Sequence, residues 1–262
     1  TILKTVYMVA QREMFQSYAP MKNAIPLSLV ALGSYGREQL CVHSDIDLMI
    51  VYKEIPGYNL KEMIEKILYL LWDIGLKLGH RVHTVEELML VSRTDITIKT
   101  ALIESRFIEG SNFVWMETQN AINQIRHDGI QAFIQSKLHE QTHKHKKFPL
   151  TMEPNLKDGV GGFRDANLVF WIGKILFNVN NIKNIPSHII DEQEYREFRI
   201  ALEFLFRVRS ALHLVTGKKE DKLRLDLIPD ISRLLGYKEG ARGQLLCAKK
   251  VTESLKTIRL YS

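Results

Sequence analysis

Cysteine is nearly absent: Cys41 and Cys247 are the only two among 262 residues. Two thiols at that spacing build neither a disulfide framework nor a zinc-ligand pattern, which excludes the disulfide-stapled class of small secreted folds. Long apolar runs are missing too. The most apolar stretches, such as Leu27–Leu32, are strand-sized and far shorter than the roughly 20 residues a membrane-spanning helix needs. Residues 1–20 show no secretory pattern, since Lys4, Gln11, Arg12 and Glu13 interrupt the apolar positions. No membrane partner is expected, and the cytoplasm is the expected compartment. The chain opens on Thr rather than Met, which suggests a segment of a longer protein. There is no internal repeat and no low-complexity tract.

What is present is an ordinary globular composition, 45% hydrophobic and 25% charged, enough for one large or two modest cores. The net charge of +6 suits a phosphate-bearing or acidic partner, without choosing between nucleic acid, nucleotide and protein.

Residues 1–20 read as a helix ending before Pro20. Ser28–Leu32 reads as a buried strand stopped by Gly33, followed by a brief helix and a second strand over 45–52. Pro56 and Gly57 mark a turn. Leu60, Met63, Ile64, Ile67, Leu68 and Leu71 then form one stripe of an amphipathic helix. A third strand is expected over 81–84. Helical periodicity follows over 96–107 and 113–138, and again over 167–177 and 192–215. The polar, His- and Lys-rich stretch 139–147, closed by Pro149, reads as the approach to a second unit. The expected organisation is α+β: a small mixed-sheet domain over 1–145, then an all-helical domain over 146–262.

Chemistry concentrates early in the chain. Leu32-Gly33-Ser34-Tyr35-Gly36-Arg37 is followed, after seven residues, by Ser44-Asp45-Ile46-Asp47-Leu48. Strand alternation puts Asp45 and Asp47 on one face, with Ile46 and Leu48 toward the core. Two such carboxylates repel each other unless a cation lies between them. Oxygen-only donors favour magnesium, or manganese, over zinc. Gly33-Ser34, between strand and helix, lets backbone N–H groups approach a phosphate. Arg37 can add charge there, and Ser44 can cap the entry to the aspartate strand. Alone, Asp-x-Asp is commonly a solvated strand edge and Gly-Ser a turn; here they occur in order within a short span.

That order resembles the polymerase-β-type nucleotidyltransferase superfamily. The resemblance implies that Gly33 and Ser34 hold a triphosphate tail and that Asp45 and Asp47 bind two metal ions. Three further stretches are similar to bacterial PII uridylyltransferases: Leu71-Trp72-Asp73-Ile74-Gly75-Leu76-Lys77-Leu78-Gly79-His80, Leu102-Ile103-Glu104-Ser105-Arg106, and the run Glu153-Pro154-Asn155-Leu156-Lys157-Asp158 through Gly161-Gly162-Phe163-Arg164-Asp165. The Gly-Gly-x-Arg part is shared with glutamine synthetase adenylyltransferases. The resemblance implies transfer of UMP from UTP to a tyrosine of a PII signalling protein, in nitrogen regulation, with no nucleic acid involved. Adenylyl transfer to glutamine synthetase and a non-catalytic nucleotide- or PII-binding module are the rival readings. The family also places a UMP-removing hydrolase domain and ligand-sensing domains after the transferase, expected here beyond Ser262.

The glycine run 159–162, flanked by Lys157 and Arg164, reads either as a nucleotide-closing loop or as an interdomain turn with Asp165 capping the next helix. Arg209 falls within the apolar stripe of the 192–215 helix, one turn before His213. A buried guanidinium needs an anion: an internal carboxylate or a substrate phosphate. With Arg207 and Leu212, these two match a stretch of the family whose role the resemblance does not supply. His139, His143 and His145 lack a completing ligand and read as a solvated helix end. His127-Asp128 mimics a phosphohydrolase pair without its further ligands. Many superfamily members carry a third carboxylate on a neighbouring strand. The expected strand, His80-Arg81-Val82-His83-Thr84, offers none, and Asp73 is the nearest substitute in sequence.

Overall fold

The computed structural model describes residues 2–16, 20–21, 23–57 and 59–262. Its contacts divide the chain into two compact units, 1–40 with 44–128, and 129–262 with Cys41–His43. The contact boundary at 128/129 and the sequence-based boundary at 145/146 differ by one helix, whose packing partners lie C-terminal to it.

The first unit is built on four strands: β1 (Leu27–Leu32), β2 (Ile46–Tyr52), β3 (Leu78–Thr84) and β4 (Arg106–Gly110). Their spatial order is β3-β2-β1-β4; β1 runs antiparallel to β2 and β4, while β2 and β3 are parallel. This mixed sheet, followed by a largely helical region, is the polymerase-β-like nucleotidyltransferase arrangement. Helix α1 (Ile2–Phe15) covers one face, and the expected end of that helix at 17–19 lies outside the described residues. Helix α2 (Gly33–Gly36) follows β1 directly. Helix α3 (Leu60–Asp73) joins α1, and all six residues of its predicted stripe are buried. Helices α4 (Glu87–Thr94), α5 (Ile96–Ile103) and α6 (Asn112–His127) cover the opposite face. Alternation along β2 therefore feeds two cores: Leu48 and Ile50 pack with α1 and α3, while Met49 and Val51 pack with α4–α6.

Two expectations over 96–138 are corrected. Residues 106–110 form β4, not the end of a helix, because pairing with the fully buried β1 overrides the periodicity carried over from α5. The helix expected over 113–138 breaks at Asp128–Gly129, where Gly129 turns left-handed (φ +59°) and opens α7 (Ile130–Lys147). The polar stretch 139–147 is thus the last turns of α7.

The second unit adds α8 (Phe163–Phe177), α9 (Glu192–Thr216), α10 (Ile228–Leu234) and α11 (Ala241–Tyr261) around one core that includes Leu156, Phe163, Phe198, Leu205, Leu212 and Leu255. Helix α9 opens on a reciprocal capping box between Asp191 and Glu194. No helix among the described residues is long and apolar enough to cross a membrane.

Candidate nucleotide site

In the first unit, β1 ends at Leu32, and Leu32 is paired across the sheet with Asp47. Gly33 continues into α2 with φ +54°, a conformation that favours glycine, and its missing Cβ leaves room for the Asp47 carboxylate 3.1 Å away. A cavity of about 330 Å³ opens here, lined by Leu32, Gly33, Asp47, Gly79, His80 and Ala101 among others. Asp47 is exposed at its floor, whereas Leu48 behind it is buried. Asp45 lies one residue before β2 and is half-buried, so the expected strand pair is a strand residue plus its lead-in. Ile46 is only half-buried, and Leu48 alone of the two flanking apolar residues reaches the core. Among the described residues no group of three or more His, Cys, Asp or Glu side chains surrounds one point. The exposed Asp47, with the half-buried Asp45 two residues before it, suits magnesium, which keeps waters and substrate phosphates among its ligands.

A second carboxylate approaches the same glycine. Glu104 Oε2 is 4.0 Å from the position of a Gly33 Cβ, and its side chain is 4% exposed. Its other oxygen forms an ion pair with Arg37, which also donates from Nε to Gln39 at 3.0 Å. Arg37 is thus held by Glu104 rather than extended toward solvent. The backbone joins in: a Cβ on Gly36 would meet the Glu104 carbonyl at 2.2 Å, and Arg106 donates to the carbonyls of Tyr35 and Gly36 at 3.0 and 3.2 Å. The Leu102–Arg106 segment is a brace for the Gly33–Arg37 turn. Asp73, the substitute suggested by the sequence, is exposed at the end of α3 and does not line the cavity. Sequence reasoning did not assign roles to Glu104 and Gly79, although both lie in stretches that carried the family resemblance.

In the second unit, the three predicted cations have different surroundings. Arg209, buried among apolar residues, donates from Nε to Asp221 at 2.7 Å and stacks over Phe163, so the internal carboxylate is present. Arg164 pairs with both Asp158 and Glu140 at 2.8 Å. Lys157 makes no ion pair among the described residues, and burial lowers its ammonium pKa, with Asp221 opposing that shift. The glycines of the 159–162 run approach protein rather than open space: a Cβ would strike the Asn155 carbonyl from Gly159, and the Leu255 carbonyl from Gly161. Asp165 is 2% exposed and accepts hydrogen bonds from the Gly161 N–H at 2.7 Å and from Gln141 at 3.0 Å. His145 closes the set, its Nε2 within 2.9 Å of both Asp165 oxygens. The expectation of a solvated His cluster is corrected in this respect: His139 and His143 are exposed, but His145 belongs to a buried polar network. His213 is fully buried and accepts from the His43 N–H; burial, with the nearby Arg209 charge, lowers its pKa. In the first unit, Asp128 is an α6 cap residue paired with Arg93 at 2.9 Å, a structural role in place of a hydrolase ligand.

Residues 132–261 match the family model described as GlnD PII-uridylyltransferase. The chain carries a GlnD-type PII-uridylyltransferase domain. With it comes membership of a family of nucleotidyltransferase enzymes. Relatives named bifunctional uridylyltransferase/uridylyl-removing enzyme include one from Methylococcus capsulatus, 38% identical over 221 residues, covering 83% of this chain and 25% of the relative. One from Bradyrhizobium diazoefficiens is 36% identical over 243 residues, covering 90% of this chain and 26% of the relative. The chain thus spans about a quarter of the length of these relatives. The family match lies within the second unit, while the relatives' coverage extends into the Gly33–Asp47 region's unit.

Proposed function

We propose that this domain transfers UMP from UTP to a tyrosine of a PII-type signalling protein, releasing pyrophosphate. The observation that carries the reading is the Asp47 carboxylate, set beside Gly33 at the end of β1 in a nucleotidyltransferase-type sheet. The names of the relatives support a uridylyl group as the one transferred, and the description of the matching family model supports PII as the acceptor. In the proposed reaction the tyrosine oxygen forms a bond to the α-phosphorus, the bond from that phosphorus to the β-phosphate bridge breaks, and the phenol proton passes to solvent. A phenol of pKa about 10 needs less help to lose its proton than a sugar hydroxyl does. Asp45 and Asp47 would hold magnesium, and the ion would supply charge neutralisation for the phosphates and a lowered pKa for the attacking hydroxyl. Gly33 and Ser34 present backbone to the triphosphate, Ser44 fixes the approach to Asp45, and Arg37 stands behind them on Glu104. Catalysis of this kind is mainly positioning and charge neutralisation.

Of the second unit's three expected nucleotide-binding cations, Lys157 alone makes no ion pair among the described residues, whereas Arg164 and Arg209 have carboxylate partners. Lys157→Met is expected to weaken UTP binding in magnesium by about tenfold, as loss of one charge-assisted bond does. Titration calorimetry checks it, and unchanged affinity would remove Lys157 from the nucleotide site. Parallel titrations with UTP and ATP test the nucleotide itself: tighter binding of UTP is expected, and a preference for ATP would favour adenylyl transfer.

A further inference from the structure

Directly paired residues on neighbouring strands project from the same face of a sheet. Asp47 is paired with Leu32 on β1 and with Gly79 on β3. A side chain at position 79 would therefore emerge beside the Asp47 carboxylate. A Cβ built there lies 2.7 Å from Asp47 Oδ1, closer than real Cβ contacts come, and the next nearest atoms of the described residues, its chain neighbours aside, are the Asp47 carboxyl carbon at 3.8 Å and the Ile46 carbonyl at 4.0 Å. The other oxygen, Oδ2, stands 3.1 Å from the Cβ position of Gly33. The carboxylate is clasped between two glycines.

The two glycines differ in a way that isolates a function. Gly33 has a left-handed backbone and favours glycine for that reason alone. Gly79 is not among the positive-φ glycines and sits within a regular parallel ladder, where glycine weakens a strand and contributes no packing. Among the described residues beyond its chain neighbours, Asp47 is the one that crowds its Cβ position. We propose that Gly79 is a positioning residue for nucleotidyl transfer: its missing side chain is the space that fixes the Asp47 carboxylate at the cavity floor. The proposal rests on the assignment of Asp47 to that reaction. Alanine at 79 forces Oδ1 out of the position it holds against the Gly79 backbone. The carboxylate then leaves its place, and a displacement of about 1 Å at a reacting centre costs on the order of 100-fold in rate.

The test is Gly79→Ala in the whole chain. The turnover of UMP transfer is expected to fall about 100-fold, with more magnesium needed for half-maximal rate. A purely structural role would leave that magnesium dependence unmoved. Transfer within about threefold of the parent, at the parent's magnesium requirement, would overturn the proposal. A thermal-unfolding cycle decides the matter independently of activity. In an Asp47→Gly background, Gly79→Ala should raise the melting temperature, because the clash is gone and the strand gains a better residue; in the parent it should not. Equal shifts in both backgrounds would show that position 79 answers to the backbone and not to Asp47, and would overturn the proposal. Absence of UMP transfer by the parent chain would count against the function proposed above, while the unfolding cycle still judges Gly79.

Discussion

Asp47→Asn is expected to lower UMP transfer by about 1,000-fold or more while leaving the melting temperature within a few degrees of the parent. The two halves of that expectation have separate causes. Asparagine keeps the shape, so it fits between Gly33 and Gly79 as the aspartate does, and Asp47 is exposed and contributes nothing to either core. In the proposed reaction the change removes one of the two negative charges that would hold magnesium against the triphosphate. Steady-state transfer in magnesium, alongside thermal unfolding, separates the effects. Transfer within tenfold of the parent would mean that Asp47 does not hold the metal.

Asp165→Ala is expected to have the largest effect on stability, a loss of about 3–5 kcal/mol. The carboxylate is almost fully buried and serves three donors at once: the buried Gly161 N–H, the Gln141 amide and the His145 ring. Alanine removes the acceptor and strands the buried Gly161 N–H above all, since the Gly161 turn packs tightly against the Leu255 backbone, while the half-buried Gln141 and His145 lose their shared partner. Asp165→Asn keeps acceptor capacity and should lose less. Urea unfolding followed by the fluorescence of Trp171, which lies on the same helix as Asp165, measures both. A loss below about 1 kcal/mol for the alanine variant would show that the network is replaceable by solvent.

The site was legible where its logic is local. Gly33, Ser34, Asp45 and Asp47 lie within one strand-turn-strand passage, and the requirement for glycine and for paired carboxylates follows from backbone geometry over a few residues. The buried guanidinium of Arg209 was legible for the same reason, since its place in an apolar helical stripe demands an anion; Asp221 as that anion was not, because it comes from beyond the helix. Glu104 escaped because its partner Arg37 is 67 residues away, and only the sheet brings them together. The glycines at 159–162 signalled close approach without saying to what, and the structure brings protein backbone against them. Arg106 and Phe107, the start of β4, were read as helix because so short a strand offers too little alternation to outweigh the helical pattern just before it; its pairing with β1 is a property of the sheet.

The most direct test of the account is to incubate the chain with UTP labelled in the α-phosphate, magnesium and an unmodified PII protein, and to follow both label on PII and pyrophosphate in solution. Equal amounts of each are predicted, with label confined to a tyrosine of PII, dependent on magnesium and abolished by Asp47→Asn. Pyrophosphate without label on PII, label that survives Asp47→Asn, or transfer from ATP in preference to UTP would contradict it.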